Sequence, residues 1–171
     1  GNLILAPMAG YTDRAFRELC YEHGADFAFT EMVSVEGLLR ENPKTIGYLH
    51  RAEAERDYGI QLFTASPANA AQAIPLITPW QPRIIDLNCG CPVPKVVKSG
   101  AGSALMRKPE LIGRIVRALT EQIDIPITVK LRSGWSAEEI TCFEAAEAAV
   151  KAGASAVTLH PRTKKQGYGG K

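Results

Sequence analysis

The sequence predicts an α/β fold on parallel strands, an eight-stranded (β/α)8 barrel cut short after about six units, and three observations carry that prediction. Apolar runs of strand length alternate with amphipathic stretches of helix length, the pattern of a parallel sheet. Strands three to six each carry a polar residue near the C-terminal end, namely Gln61, Asn88, Lys130 and His160. In the last two strands Thr128, Lys130 and Arg132 share one face and Val129 and Leu131 the other, and Thr158, His160 and Arg162 repeat the arrangement. One face of each strand is therefore polar, and in a barrel that face points to the mouth. A doubly wound sheet also fits the alternation, but the first strand is followed by Gly10-Tyr11-Thr12 and not by a glycine fingerprint. A barrel typically takes about 250 residues. A chain of 171 residues is expected to stop two strands short of one.

The chain opens on an apolar run, Leu3 to Ala9, read as the first strand. Thr12 or Asp13 then caps a helix with Phe16, Leu19 and Cys20 on one face. Phe27 to Met32 is the second strand, Ser34 to Leu39 is helical, and a polar stretch runs through Asp57. The third strand is Gly59 to Phe63, and Ser66-Pro67 starts a helix with serine at the cap and proline at its first position. Ile84 to Cys89 is the fourth strand, followed by a long loop, Gly90 to Lys108, rich in lysine, glycine and proline. Pro109 opens a helix whose Leu111, Ile112, Ile115, Val116 and Leu119 form an apolar stripe. The fifth strand is Ile127 to Arg132. Ser136 and Glu139 stand as a capping box for a helix continued by Phe143, Ala146 and Val150, and Ala156 to Pro161 is the sixth strand.

Composition narrows the class. Hydrophobic residues at 46% and charged residues at 22% argue against disorder, and a net charge of +2 is too small to announce nucleic-acid binding by itself. No run approaches the roughly 18 apolar residues of a membrane span, and no charged-then-apolar leader opens the chain, so a cytoplasmic location is expected. Free thiols are expected at Cys20, Cys89, Cys91 and Cys142, and Cys89 and Cys91 alone make no convincing zinc site.

The densest chemistry lies in Asp86-Leu87-Asn88-Cys89-Gly90-Cys91-Pro92, where a strand gives way to a loop. Cys89 shares parity with Ile85 and Leu87, which turns it toward the helices as a packing residue. Cys91 lies past the strand on a glycine-preceded turn, where it is either a reactive thiol or a small buried hydrophobe. Lys130 either enters the mouth or snorkels to solvent. Gln61 offers a donor and an acceptor. Arg132 and Arg162 meet substrate phosphates or one another.

These residues, together with Leu5-Ala6-Pro7-Met8-Ala9-Gly10, Thr12-Asp13, Lys95-Val96, Gly100 to Met106, Lys130-Leu131-Arg132 and His160-Pro161-Arg162-Thr163, resemble the tRNA-dihydrouridine synthases over essentially the whole chain. The resemblance implies that residues 1–171 form a partial FMN-binding TIM-barrel domain, without its last two strands and without the family's C-terminal helical domain. It implies FMN as cofactor, NADPH as reductant and tRNA as substrate, with the uridine 5,6 double bond reduced. Pro7, Met8 and Ala9 match the segment beside the flavin ring. Gln61 and Lys130 match positions that hydrogen-bond it, and Asn88 matches a residue at the flavin and uracil face. His160 matches one that contacts it from the sixth strand, although flavin contact, phosphate contact and a satisfied core histidine all fit the residue itself.

Reduction of uracil needs a hydride at C6 and a proton at C5. The flavin supplies the first, so the protein must supply the second. Cys91 matches the general acid, and a cysteine near its ordinary pKa of about 8.5 is protonated at neutrality yet gives up its proton to a developing carbanion. Lys130 would stabilise negative charge on the reduced ring. Lys95, Lys98, Arg107 and Lys108 in the long loop suit an RNA backbone, with the loop ordering when RNA binds. Two rival readings remain at this point: a catalytically silent truncated barrel that binds RNA or a partner, and a flavin barrel acting on a free pyrimidine, as dihydroorotate dehydrogenases do.

Overall fold

The computed structural model describes residues 3–55 and 57–169, and Gly1, Asn2, Arg56, Gly170 and Lys171 lie outside the described residues. In chain order the elements are β1 (Ile4–Leu5), α1 (Arg14–Glu22), β2 (Phe27–Ala28), β3 (Val33–Ser34), α2 (Val35–Leu39), α3 (Pro43–Gly47), β4 (Gly59–Phe63), α4 (Pro67–Ile77), β5 (Ile84–Cys89), α5 (Pro94–Lys98), α6 (Pro109–Thr120), β6 (Ile127–Arg132), β7 (Gly134–Ser136), β8 (Glu139–Ile140), α7 (Cys142–Lys151) and β9 (Ala156–His160). Short 3-10 turns occupy Thr78–Trp80 and Gly102–Arg107.

Strands β3, β4, β5, β6 and β9 pair in that order, each parallel to the next. β1 pairs with β2 in parallel, and Phe29 bridges to Gly59, which brings that pair alongside β4. Order along the sheet thus follows order along the chain, without the reversal that marks a doubly wound sheet. Right-handed crossovers in one direction put every connecting helix on one face. The architecture is therefore α/β with a parallel sheet. Among the described residues it does not close into a barrel, since β1 and β9 each pair on one side only.

The core lies between the sheet and its helices. Ile60, Leu62, Ile85, Leu87, Cys89, Val129 and Leu131 project from one sheet face onto Ala73, Ile77, Ile112, Ile115, Val116 and Leu119 of α4 and α6. Burying each of the larger side chains contributes about 1.5–3 kcal/mol. Cys89 belongs to this layer, as its parity predicts. All four cysteines are free.

The helix starts at Ser66-Pro67 and Pro109 form as expected, as do strands four and five. Other expectations need correction. The second strand is interrupted, because the Thr30 hydroxyl replaces a ladder carbonyl as acceptor for the Gln61 N–H at 3.2 Å. The first strand is reduced to Ile4–Leu5, with Met8 already in a turn whose carbonyl accepts from Tyr11 and Thr12. The polar stretch before Asp57 contains α3, capped by Asn42.

On α1 the buried residue is Arg17, while Phe16 and Leu19 are exposed. Arg17 Nε pairs with Glu55 at 2.6 Å, and its other nitrogens donate to the Thr12 and His50 carbonyls. Partners at every point of the guanidinium are what make a buried cation tolerable.

Ser136 and Glu139 are not a capping box. They face each other in the antiparallel β7–β8 hairpin, and α7 starts only at Cys142. The helix turns Cys142, Ala145 and Ala149 inward and leaves Phe143 80% exposed. Both α1 and α7 flank open sheet edges, so their outer apolar side chains meet no further layer among the described residues.

Candidate active site

The face of the sheet opposite the helices is polar, and the register stacks it in layers. Gln61, Asp86 and Thr128 lie side by side on β4, β5 and β6. Two residues further along, Asn88, Lys130 and Thr158 form the next layer, and Arg132 and His160 the one above. Strand period two puts all of them on one face.

The lowest layer is a closed hydrogen-bond set. Thr128 Oγ1 donates to Asp86 Oδ1 at 2.6 Å, and Gln61 Nε2 donates to Asp86 Oδ2 at 2.7 Å. Gln61 Oε1 accepts from Asn88 Nδ2 at 2.8 Å. Asn88 Oδ1 in turn accepts from the backbone N–H groups of Gly90 at 3.1 Å and Cys91 at 2.9 Å. The turn after β5 is thus held from beneath by a side chain of the strand itself. From the other side the Cys91 carbonyl accepts from Ser103 N at 3.0 Å.

Residues 90–108 are not one extended loop. They fold into α5 and the Gly102–Arg107 turn, because Val96, Leu105 and Met106 are buried. Gly102 has φ +60°, and a Cβ there would stand 2.7 Å from the Cys91 carbonyl oxygen. Only glycine lets this segment lie against Cys91.

Burial raises the half-buried Cys91 thiol above its usual pKa, while the Val93 N–H and the Arg132 cation favour the thiolate. Burial lowers the Lys130 ammonium, and the Asp86 carboxylate opposes that. Burial raises Asp86 to about 6. His160 is lowered by burial and by the Arg132, Lys130 and Arg162 cations, and its Nδ1 accepts from Arg162 N at 3.3 Å. These causes favour a protonated thiol and a neutral imidazole near pH 7.

The residues singled out in the sequence divide as follows. Asn88, Cys91, Lys130 and His160 come together on or just above the polar face. Gln61 joins them from below, 1% exposed, with its amide engaged by Asp86 and Asn88. Pro7, Met8 and Ala9 lie beyond β1, where Met8 N donates to Thr12 Oγ1 at 3.0 Å. Arg132 is 4% exposed, and its guanidinium donates to the carbonyls of Gly90, Thr163 and Gly167. Arg162 Nε donates to Gly169 O at 3.1 Å, and Lys95 is exposed on α5. Asp86 and Thr128 are the site residues to which sequence reasoning assigned no role. Their parity with Asn88 and Lys130 was the available signal.

The donor set on this face includes a cation suited to an acceptor-rich group. Among the described residues the Lys130 ammonium donates no hydrogen bond, although it is half buried. A cation so placed wants an anionic or acceptor-rich partner. Among the described residues no helix is long and apolar enough to cross a membrane.

Comparison with known proteins gives one family. The profile described as dihydrouridine synthase (Dus) matches residues 4–171. A probable tRNA-dihydrouridine synthase of Treponema pallidum (strain Nichols) is 46% identical over 99% of this chain and 52% of its own length. One from Aquifex aeolicus (strain VF5) is 40% identical over 100% of this chain and 54% of its own. A tRNA-dihydrouridine synthase B of Proteus vulgaris is 39% identical over 95% of this chain and 50% of its own. The chain spans about half the length of the curated relatives it matches.

Proposed function

The chain belongs to the dihydrouridine synthase family, and from that premise we propose that it forms the chemical centre of a cytoplasmic tRNA-dihydrouridine synthase, which reduces the 5,6 double bond of uridine in tRNA. The observation that carries this reading is a half-buried Cys91, its thiol pushed up by burial, on the same polar face as an ammonium, Lys130, that donates no hydrogen bond among the described residues.

FMN bound on that face would supply the hydride, with NADPH as the source of reducing equivalents. Lys130 would hold the ring through its acceptor edge and offset negative charge there. Asn88 and His160 would flank the ring, with Pro7, Met8 and Ala9 along its side. Gln61 has one N–H and one lone pair left for it after bonding Asp86 and Asn88. Cys91 would give its Sγ proton to C5 of the uracil as negative charge develops there. The thiolate left behind would be stabilised by Arg132 and the Val93 N–H, the two groups that already favour it.

Lys95 and Lys98 on α5, with Arg162 near the end of β9, would meet the RNA backbone. Arg132 is committed to backbone carbonyls, so its part is to hold the Cys91 turn and its charge. The uridine would have to be unstacked to reach the thiol.

The six strand positions would be the first part of an eight-stranded TIM barrel, and two further units would cover the open β1 and β9 edges. The exposed Leu3, Ile4, Phe143 and Leu159 along those edges support this, as does the length of the relatives.

The test is to supply the full-length protein with FMN, NADPH and unmodified tRNA or free uridine and to measure dihydrouridine by mass spectrometry. Product from tRNA is expected. Product from the free nucleoside alone, or from neither, would overturn the assignment.

A further inference from the structure

We propose that Asp86 is a positioning residue: an acceptor-only anchor beneath the site that sets the orientation of the Gln61 and Asn88 amides and, through them, the turn that presents Cys91. The significance of that turn rests on the proposed role of Cys91 as proton donor.

An ionised carboxylate has no N–H or O–H to give, so every group facing Asp86 must donate. Gln61 therefore turns Nε2 toward it, at 2.7 Å, and Thr128 turns its hydroxyl, at 2.6 Å. With Nε2 so placed, Gln61 has only Oε1 for Asn88, which must then offer Nδ2, at 2.8 Å. That leaves Asn88 Oδ1, and only Oδ1, for the N–H groups of Gly90 and Cys91.

Reversing either amide breaks the set. A flipped Gln61 sets its oxygen against the carboxylate and its NH2 against that of Asn88. A flipped Asn88 sets an NH2 against two backbone N–H groups. Gln61, Asp86, Asn88 and Thr128 are all buried, so water offers no substitute partner. Sequence places Asp86 five residues before Cys91, and Gln61, the intermediary, comes from another strand.

The proposal concerns hydrogen-bond direction and not charge, which makes it separable. In Asp86→Asn the side-chain oxygen still accepts from Gln61, and the new amide donates to Thr128, whose hydroxyl rotates. Asp86→Leu keeps the branched shape, with bulkier methyl groups in place of the oxygens, and removes both acceptors.

The experiment uses the full-length protein and measures iodoacetamide labelling of Cys91 relative to Cys20 by mass spectrometry. Cys20, half buried on α1, serves as the reference. Asp86→Asn is expected to hold the ratio within about twofold, and Asp86→Leu to change it by about tenfold or more, the scale of a lost buried hydrogen bond. An unchanged ratio in Asp86→Leu would overturn the proposal, and so would an Asp86→Asn change as large as that of Asp86→Leu. Should Asp86→Leu fail to unfold cooperatively, Gln61→Met breaks the middle link and must change the ratio in the same way, or the proposal fails. Labelling reports how the thiol is presented whatever its role. If Cys91→Ala still makes dihydrouridine, the acid assignment falls while the labelling result stands.

Discussion

Arg132 donates through Nε to the carbonyl of Gly90 at 2.7 Å, which ties the cation at the end of β6 to the residue just before Cys91. The same guanidinium holds the carbonyls of Thr163 and Gly167 at 3.0 and 2.9 Å, so one buried side chain joins the Cys91 turn to the segment after β9. Its charge favours the Cys91 thiolate against the effect of burial. Arg132→Met removes that charge, and the labelling midpoint of Cys91 should move to higher pH. A midpoint that stays or falls would show that Arg132 does not act on the thiol.

Gly102 lies against Cys91 in the folded 90–108 segment. A Cβ at this position would stand 2.7 Å from the Cys91 carbonyl and 2.9 Å from Val96 Cγ1, on a residue with φ +60°. Gly102→Ala is expected to cost about 1–3 kcal/mol and to raise hydrogen exchange at the Cys91 and Ser103 amides. Urea unfolding with exchange on the same variant checks both. Native stability together with native exchange would contradict the close packing.

The raised pKa of Asp86 has a defined effect on stability. Burial lifts it from 3.8 to about 6, against hydrogen bonds from Gln61 and Thr128 and the charge of Lys130. The folded state therefore binds this proton more tightly than the unfolded state does. Its contribution is fully present below the unfolded pKa and is lost as pH rises through about 6. Over that window the loss is on the order of 3 kcal/mol. His160, with its lowered pKa, acts in the opposite direction, so the informative quantity is the difference between proteins. Asp86→Asn should gain stability over wild type at pH 7.5 and lose most of that advantage at pH 4.5, by urea unfolding. A difference independent of pH would contradict the cause given.

Lys95 and Lys98 lie exposed in the last turn of α5. If they follow the RNA backbone, replacing both with Gln should weaken tRNA binding and reduce the slope of log affinity against log salt by about 1 to 2. An unchanged slope would remove them from the RNA surface.

The strands and the polar face were legible because period-two alternation is a local signal. Thr128, Lys130 and Arg132 against Val129 and Leu131 declare two faces without reference to anything else in the chain. Ser66-Pro67 and Pro109 likewise declare helix starts. What was not legible depends on distant partners. Ser136 and Glu139 suit a capping box or a hairpin equally, and the pairing with Gly134 and Ile140 decides. Gly90 to Lys108 reads as a loop by composition, yet burial of Val96, Leu105 and Met106 orders it.

Phe16 falls on the expected apolar face of its helix and Phe143 on the expected continuation of another, but Arg17 and Cys142 are the ones turned inward. Asp86 was visible as part of a motif. Its bonds to Gln61 and Thr128 join positions 25 and 42 residues apart, which no local pattern records.

The most direct test of the account is dihydrouridine formation in a single turnover by the full-length protein and its Cys91→Ala variant, with FMN affinity measured alongside. If Cys91 gives its proton to C5, the variant should lose about 100-fold or more in rate while binding FMN as tightly as wild type. A rate within about twofold of wild type would contradict the assignment, because the proton would then come from elsewhere.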